Sequence, residues 1–207
     1  MTVKLITITP DAEATMAYIA RVSSPNQENP EYAKLLKYCL DHQHWSVFEH
    51  AYMTLEISTS RMISAQILRH RSFTFSEFSQ RYAEPMDYVP VKARRQAEKN
   101  RQSSVDDLNE ATQRVWGSMQ QEMWEMSQRM YKLATDDLGI AKECARAILP
   151  MSTATRLYMT GSIRSWIHYI SLRCRSDTQQ EHKEIAEQCK VIFVEQLPVV
   201  AEALGWK

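Results

Sequence analysis

Arg69, His70 and Arg71 stand together, and the residues after them, Ser72 to Tyr82, interleave hydroxyls, a carboxylate, an amide and a further guanidinium with aromatic rings. On a helix Arg69 and Arg71 lie about 200° apart, so they cannot share one salt bridge and must reach into two places. Gln66 falls one turn before Arg69. That sets an amide, donor and acceptor together, beside a cation of the kind that grips phosphate, a combination suited to a pyrimidine nucleotide. Phe73 and Phe75 alternate with Ser72, Thr74 and Ser76; Glu77, Ser79 and Arg81 then alternate with Phe78, Gln80 and Tyr82. This is the period of an extended chain, and it predicts polar groups along one side. Backbone cradles are absent, because Gly117, Gly139, Gly161 and Gly205 never approach GxGxxG or GxxxxGK spacing. Side chains must hold any nucleotide.

The string Arg69 to Tyr82 closely resembles the signature of the flavin-dependent thymidylate synthases: an RHR triplet, seven residues, a serine, then an Arg-Tyr pair. Ala20-Arg21-Val22-Ser23 resembles that family's early ARVS block, and the run His42 to His50 its H-x-H-x-[ST]-x-F-E-H block. Arg146 to Pro150 and Gly161 to Arg173 are similar to its later blocks, so recognisable stretches run from residue 20 to about 181, with 83 to 139 mainly unmatched. The resemblance implies an α+β fold, a small mixed sheet packed with long helices. It further implies a homotetramer with shared active sites, tightly bound FAD, and methylation of dUMP to dTMP with methylenetetrahydrofolate as carbon donor and NADPH as reductant.

By the same resemblance Ser46, Glu49, Arg69, His70, Arg71, Glu77, Ser162, Arg164 and His168 map onto flavin-contacting positions. His44 would lie where folate or nicotinamide approaches. Gln66, Arg69, Glu77, Phe78, Ser79, Gln80, Arg81, Arg146 and Arg173 map onto nucleotide-contacting positions, with Arg81 and Arg146 for phosphate and Gln66 for the uracil edge. Arg173 matches the position credited with activating the pyrimidine. Arg164 and His168 are i and i+4, so on a helix they can grip one ligand together. Ser76 and Ser162 depart from the family's usual amides. None of the four cysteines lies in the signature, and Cys174, turned about 100° from Arg173 on a helix, reads as structural. The family implies methyl transfer without an enzyme thiolate.

Two other chemistries compete for the same residues. His42, His44, His50 and His70 invite a metal, but only Glu49 is a nearby carboxylate, and no metal site is expected. Phe73, Phe75, Phe78 and Tyr82 could stack on single-stranded nucleic acid. Lys plus Arg and Asp plus Glu number 25 each, so no long-range field gathers a polyanion, and no nucleic acid polymer is expected as partner. Cysteines without CxxC spacing read as small buried hydrophobes of a reduced compartment. No basic start leads into an apolar run and no stretch is long enough to span a bilayer, so no membrane and a cytoplasmic location are expected.

At 207 residues the chain suits one catalytic domain over 1–207, with Lys92 to Ser104 as a basic connecting segment. Val3 to Ile8 and Tyr52 to Ser58 read as strands, and Thr155 to Thr160 as a further one. Helices are expected from Pro10 to Ala20, Glu31 to Asp41, Ser60 to His70, Gly139 to Leu149, Ser162 to Arg173 and Asp177 to Gln196. Val105, Leu108, Val115, Met119, Met123, Met126, Met130 and Leu133 recur at helical spacing. They predict one long amphipathic helix whose Met stripe packs in the core or against another subunit.

Overall fold

Apolar and polar residues alternate from Tyr52, and this segment forms β2 (Tyr52–Ser60), with Met53, Leu55 and Ile57 fully buried on one face. The computed structural model describes residues 1–85 and 87–206. β2 pairs with β1 (Thr2–Ile8) on one side and β6 (Ala154–Ser162) on the other; β6 pairs in turn with β3 (Thr74–Glu77), giving the order β1-β2-β6-β3. Every pair is antiparallel, which corrects the expectation of a mixed sheet. The far face gives the reason. Tyr158 donates to Glu56 at 2.8 Å and Thr54 meets Thr160 at 2.9 Å, and an antiparallel sheet can carry such a polar face where a parallel one needs both faces covered.

Two strands run directly into helices, each through a serine cap. The hydroxyl of Ser60 accepts from the Ile63 amide at the start of α3 (Arg61–Ile67), and that of Ser162 from the Ser165 amide at the start of α6 (Ile163–Arg173). Tyr52 faces Ser162 and Ser60 faces Ala154, so the two helices leave from opposite ends of the sheet. The close of α6 can therefore meet the segment just beyond α3. Between them Phe73 packs against Gly161, where a Cβ would come within 2.4 Å of its ring. Its other neighbours are Trp166, with ring centroids 4.9 Å apart, and Tyr169 at 5.9 Å. These rings, with Phe48 and Phe193, are among the largest side chains of one hydrophobic core.

α1 (Ala12–Ala20), α2 (Ala33–Asp41) and α7 (Gln180–Gln196) occupy the predicted segments. The helix expected over 139–149 is shorter, α5 (Lys142–Ala145) followed by a 3-10 turn at Arg146–Ile148. α8 (Pro198–Ala203) lies beyond every expected element; Pro198 starts it, where its missing N–H costs nothing. The helix predicted from 105 is α4 (Glu110–Lys132), because Asn109 accepts from the Thr112 amide at 2.9 Å and caps it there. Before it, β4 (Arg95–Gln96) and β5 (Ser104–Val105) pair as a hairpin, so residues 92–104 are more than a solvated connection. Lys92 and Arg95 are pinned to Asp106 and Asp107, and Arg94 enters the protein to meet Glu181. Core packing does not account for the Met stripe within one chain, since Met119, Met123, Met126 and Met130 are all exposed.

Candidate active site

Three groups of candidate residues are assembled, two of them along α6. Its exposed side carries Arg164 and His168 one turn apart, and these line an open cleft of about 670 Å³ with Trp45, Glu49, Ser72 and Ile167. A 3-10 turn at Trp45–Glu49 delivers Trp45 as wall and Glu49 as the ion-pair partner of Arg164. Ser46 is exposed on the same turn, and His44 precedes it with its ring edge-on to Tyr38 at 5.7 Å. Ser162, expected among cofactor contacts, is buried with its hydroxyl occupied as the cap of α6.

At the end of α6, Arg173 donates from Nε to Nε2 of His70 at 2.9 Å. Accepting that bond requires a neutral imidazole, and the environment supplies one. Burial, then Arg173 and then His168 push His70 down to about 4. The Tyr169 ring stands edge-on to His70 at 4.9 Å, and the Tyr169 hydroxyl lies 3.1 Å from Nε2 of His182. His182, fully buried, is held down to about 3 by burial, Arg173 and His70. Its Nδ1 faces Oε1 of Gln66 at 3.3 Å, while Nε2 of Gln66 donates to Gln179 at 2.7 Å. Gln66, His70 and Arg173 thus form one polar cluster under an aromatic wall. Arg69 and Arg71 are exposed in the turn beside it.

The third group lies apart in a shallower cleft of about 390 Å³ lined by Ser79, Arg81, Tyr82, Lys142 and Glu143. Arg81 donates to the Glu143 carboxylate at 3.0 Å, and Arg146 from Nε to the Glu143 carbonyl at 3.2 Å. The two residues expected on phosphate therefore share a neighbour, although the expected extended run stops short of them. β3 ends at Glu77, Phe78 adds one bond to the Arg156 carbonyl, and the chain turns as Tyr82 and Ala83 donate to the Ser79 carbonyl. A second correction concerns Glu77. Strand parity puts it on the side of Phe73 and Phe75, where it accepts from Ser64 at 2.5 Å and Thr155 at 3.0 Å and pairs with Arg61 at 2.6 Å. Gln80 is buried, and its Nε2 has no partner among the described residues.

Trp45, Tyr169, Gln179, Glu181, His182 and Arg94 belong to these groups without a local sequence signal of their own. They act across elements, and only the i, i+3 spacing of Gln179 and His182 at the start of α7 hints at a shared face. Among the described residues no three His, Cys, Asp or Glu side chains gather to hold a metal ion, and no helix is long and apolar enough to cross a membrane. Cys39 and Cys189 are buried as expected, whereas Cys144 is exposed and Cys174 half-buried at the end of α6.

The family described as thymidylate synthase complementing protein matches residues 4–199. A flavin-dependent thymidylate synthase of Synechocystis sp. is 56% identical over 94% of this chain and 90% of its own length. A probable flavin-dependent thymidylate synthase of Paramecium bursaria Chlorella virus 1 is 52% identical over all of both chains. Among solved structures, the UMP/dUMP methylase PolB of Streptomyces cacaoi, bound with 5-Br dUMP, superposes with a TM-score of 0.86 at 28% identity, covering 99% of this chain and 94% of that one. The signature, the fold that carries it and these likenesses agree: the chain belongs to the flavin-dependent thymidylate synthase family.

Proposed function

We propose that this protein methylates dUMP at C5 of the uracil to give dTMP, taking the carbon from methylenetetrahydrofolate, with FAD bound and NADPH as its reductant. The observation that carries the reading is the Arg173–His70 bond. It uses one guanidinium nitrogen and a neutral imidazole, and leaves the Nη groups of a permanently charged side chain for a ligand. As C6 accepts hydride, the ring becomes an enolate through C5 and C4, and negative charge grows on O4, on the edge that carries N3. A preorganised guanidinium there stabilises that charge more than it stabilises the neutral ring. Arg81 and Arg146 would take the phosphate, with Ser79 and the unpartnered amide of Gln80 beside them.

The cleft on α6 fits a flavin dinucleotide in its chemistry: Trp45 and Ile167 offer an apolar wall, Arg164 and His168 a cationic rim. Glu49, Arg69, Arg71 and Ser46 would complete the contacts, with His44 toward the folate or nicotinamide. When bound and reduced at the expense of NADPH, the flavin would supply the hydride that completes the methyl group. One chain offers this cleft few cations for a pyrophosphate, and the phosphate candidates lie in another cleft. This favours sites shared between chains, within the homotetramer that the family resemblance implies, with α4 as an assembling face. A thiolate nucleophile is not needed. Burial raises the Cys174 thiol, keeping it protonated, and Cys144 lies outside the signature string, on α5, whose Glu143 pairs with Arg81.

The test is the visible spectrum of the purified protein with and without dUMP, combined with dTMP formation from dUMP, methylenetetrahydrofolate and NADPH. A flavin spectrum perturbed by dUMP, and turnover that survives Cys144→Ala and Cys174→Ala, are expected. A colourless protein that forms no dTMP after incubation with FAD would overturn the reading.

A further inference from the structure

Gln66 is one link in a chain of hydrogen bonds that ends on a buried ion pair. Arg94 donates to Glu181 at 2.6 Å, with side chains only 13% and 7% exposed. Glu181 accepts from Nε2 of Gln179 at 2.9 Å, and Oε1 of Gln179 from Nε2 of Gln66 at 2.7 Å. Oε1 of Gln66 faces Nδ1 of His182, and Nε2 of His182 faces the Tyr169 hydroxyl. An amide, a neutral imidazole and a hydroxyl can each be reversed, so taken alone these four groups have two equivalent arrangements. The carboxylate breaks the tie. It can only accept, so Gln179 must turn its nitrogen to Glu181 and its oxygen to Gln66. Gln66 must then turn its nitrogen to Gln179 and its oxygen to His182, which needs a proton on Nδ1, and the Tyr169 hydroxyl must donate to the bare Nε2. Arg94 donates to the same carboxylate, which thus accepts from a guanidinium and an amide at once.

We propose that the Arg94–Glu181 pair is a positioning device: through Gln179 and against His182 it fixes which way round Gln66 presents its donor and acceptor, and thereby selects uracil over cytosine. The selectivity half rests on the reading in which Gln66 meets the nucleobase. Uracil offers an N3–H donor between two carbonyl acceptors, and cytosine an N3 acceptor beside an amino donor. An amide held one way round matches one ring and opposes the other at both contacts. Buried imidazole at His182, kept uncharged, is what lets one proton report the polarity of the whole chain.

Two measurements separate the halves. Spectra of 15N-histidine-labelled holoenzyme, with the His182 signals assigned through His182→Gln, read the tautomer without any nucleotide. The ratio of dUMP to dCMP affinity reads selectivity. The native protein is expected to hold His182 as the neutral Nδ1–H form, and Glu181→Gln to populate both tautomers and lower the ratio about tenfold, the scale of one buried mismatched hydrogen bond. Arg94→Met is expected to act in the same direction. If Glu181→Gln does not fold, Gln179→Met cuts the chain nearer Gln66 and reads the same two quantities. A native Nε2–H tautomer, or a folded Glu181→Gln with tautomer and ratio both unchanged, overturns the proposal. A ratio unaffected by Gln66→Ala overturns the contact between Gln66 and the base, and with it the selectivity half, while the tautomer still decides the polarity.

Discussion

His70 and Arg173 are the pair on which the most chemistry depends, and each yields an expectation. Arg173→Ala should retain fold, assembly and flavin yet lose about 10²–10³ in turnover, the usual cost of removing one preorganised donor, with a smaller loss in dUMP affinity. Arg173→Lys should recover only part, since a point charge cannot bond an edge in two places. Near-normal turnover in flavin-loaded Arg173→Ala would move the role to Arg81 or Arg146. The histidines give a pH window. Both are pushed below their ordinary value of 6.5, His70 to about 4 and His182 to about 3, chiefly by burial. In the unfolded chain they take up protons near 6.5 and in the fold they resist, so their contribution is complete above 6.5 and is lost as pH falls toward 4 and then 3. Every tenfold weakening of a histidine's hold on its proton corresponds to about 1.4 kcal/mol at most, so Tm should decline on acidification. His182→Gln should flatten the decline between pH 6.5 and 5, above the range of ordinary carboxylates. An unaltered slope in that variant would place the acid sensitivity elsewhere.

At the scale of elements, the site depends on how closely β6 lets β3 and its aromatic rings approach. Gly161 is where that approach is tightest, and a methyl group there would sit 2.4 Å from the Phe73 ring, inside any tolerable contact. Gly161→Ala should therefore cost about 1–3 kcal/mol by overpacking, and adding Phe73→Leu should restore part of it. Chemical denaturation of the two variants measures this, and additive losses would show that the contact is not the cause. The sequence displays the signature, the strands and most helices, because periodicity and serine caps are local. It conceals the closeness of Gly161 to Phe73, which lie far apart in the chain, and the inward aim of Glu77, which depends on where β3 starts its alternation. Arg94 is hidden for a further reason: amid a run of cations nothing local marks the one that a distant carboxylate draws inside. In the same way α4 reads as longer than it is, because apolar spacing at Val105 and Leu108 continues past the cap that Asn109 imposes.

Taken as a whole, the molecule leaves one long helix incompletely covered. α4 is fastened on one side, where the Trp116 indole donates to the Val91 carbonyl at 2.7 Å and Trp124 stacks on Tyr88 with centroids 5.6 Å apart. On its outer side Val115, Met119, Met123, Met126 and Met130 are between 46% and 62% exposed, and only Ser127 and Tyr131 of this helix are buried. A contiguous apolar stripe of this length is the face that the proposed assembly would use, and unbranched methionines suit packing against a copy of themselves. Equal numbers of positive and negative residues mean that no net repulsion opposes the approach of identical chains. Burying the exposed half of each side chain would contribute about 0.8–1.5 kcal/mol, which in sum favours association against the loss of rigid-body freedom. We therefore expect Met119→Glu combined with Met126→Glu to sediment as a smaller species than the native protein, to keep its circular dichroism, and to lose flavin, the outcome that the proposed sharing of one site between chains requires. Mixed assemblies offer the complementary check: Arg69→Ala and Arg164→Ala chains, each impaired alone, should recover part of their activity when combined if one site draws on two chains. Retained assembly in the double glutamate variant would remove α4 from the interface, and verified mixed assemblies without recovery would confine each site to a single chain.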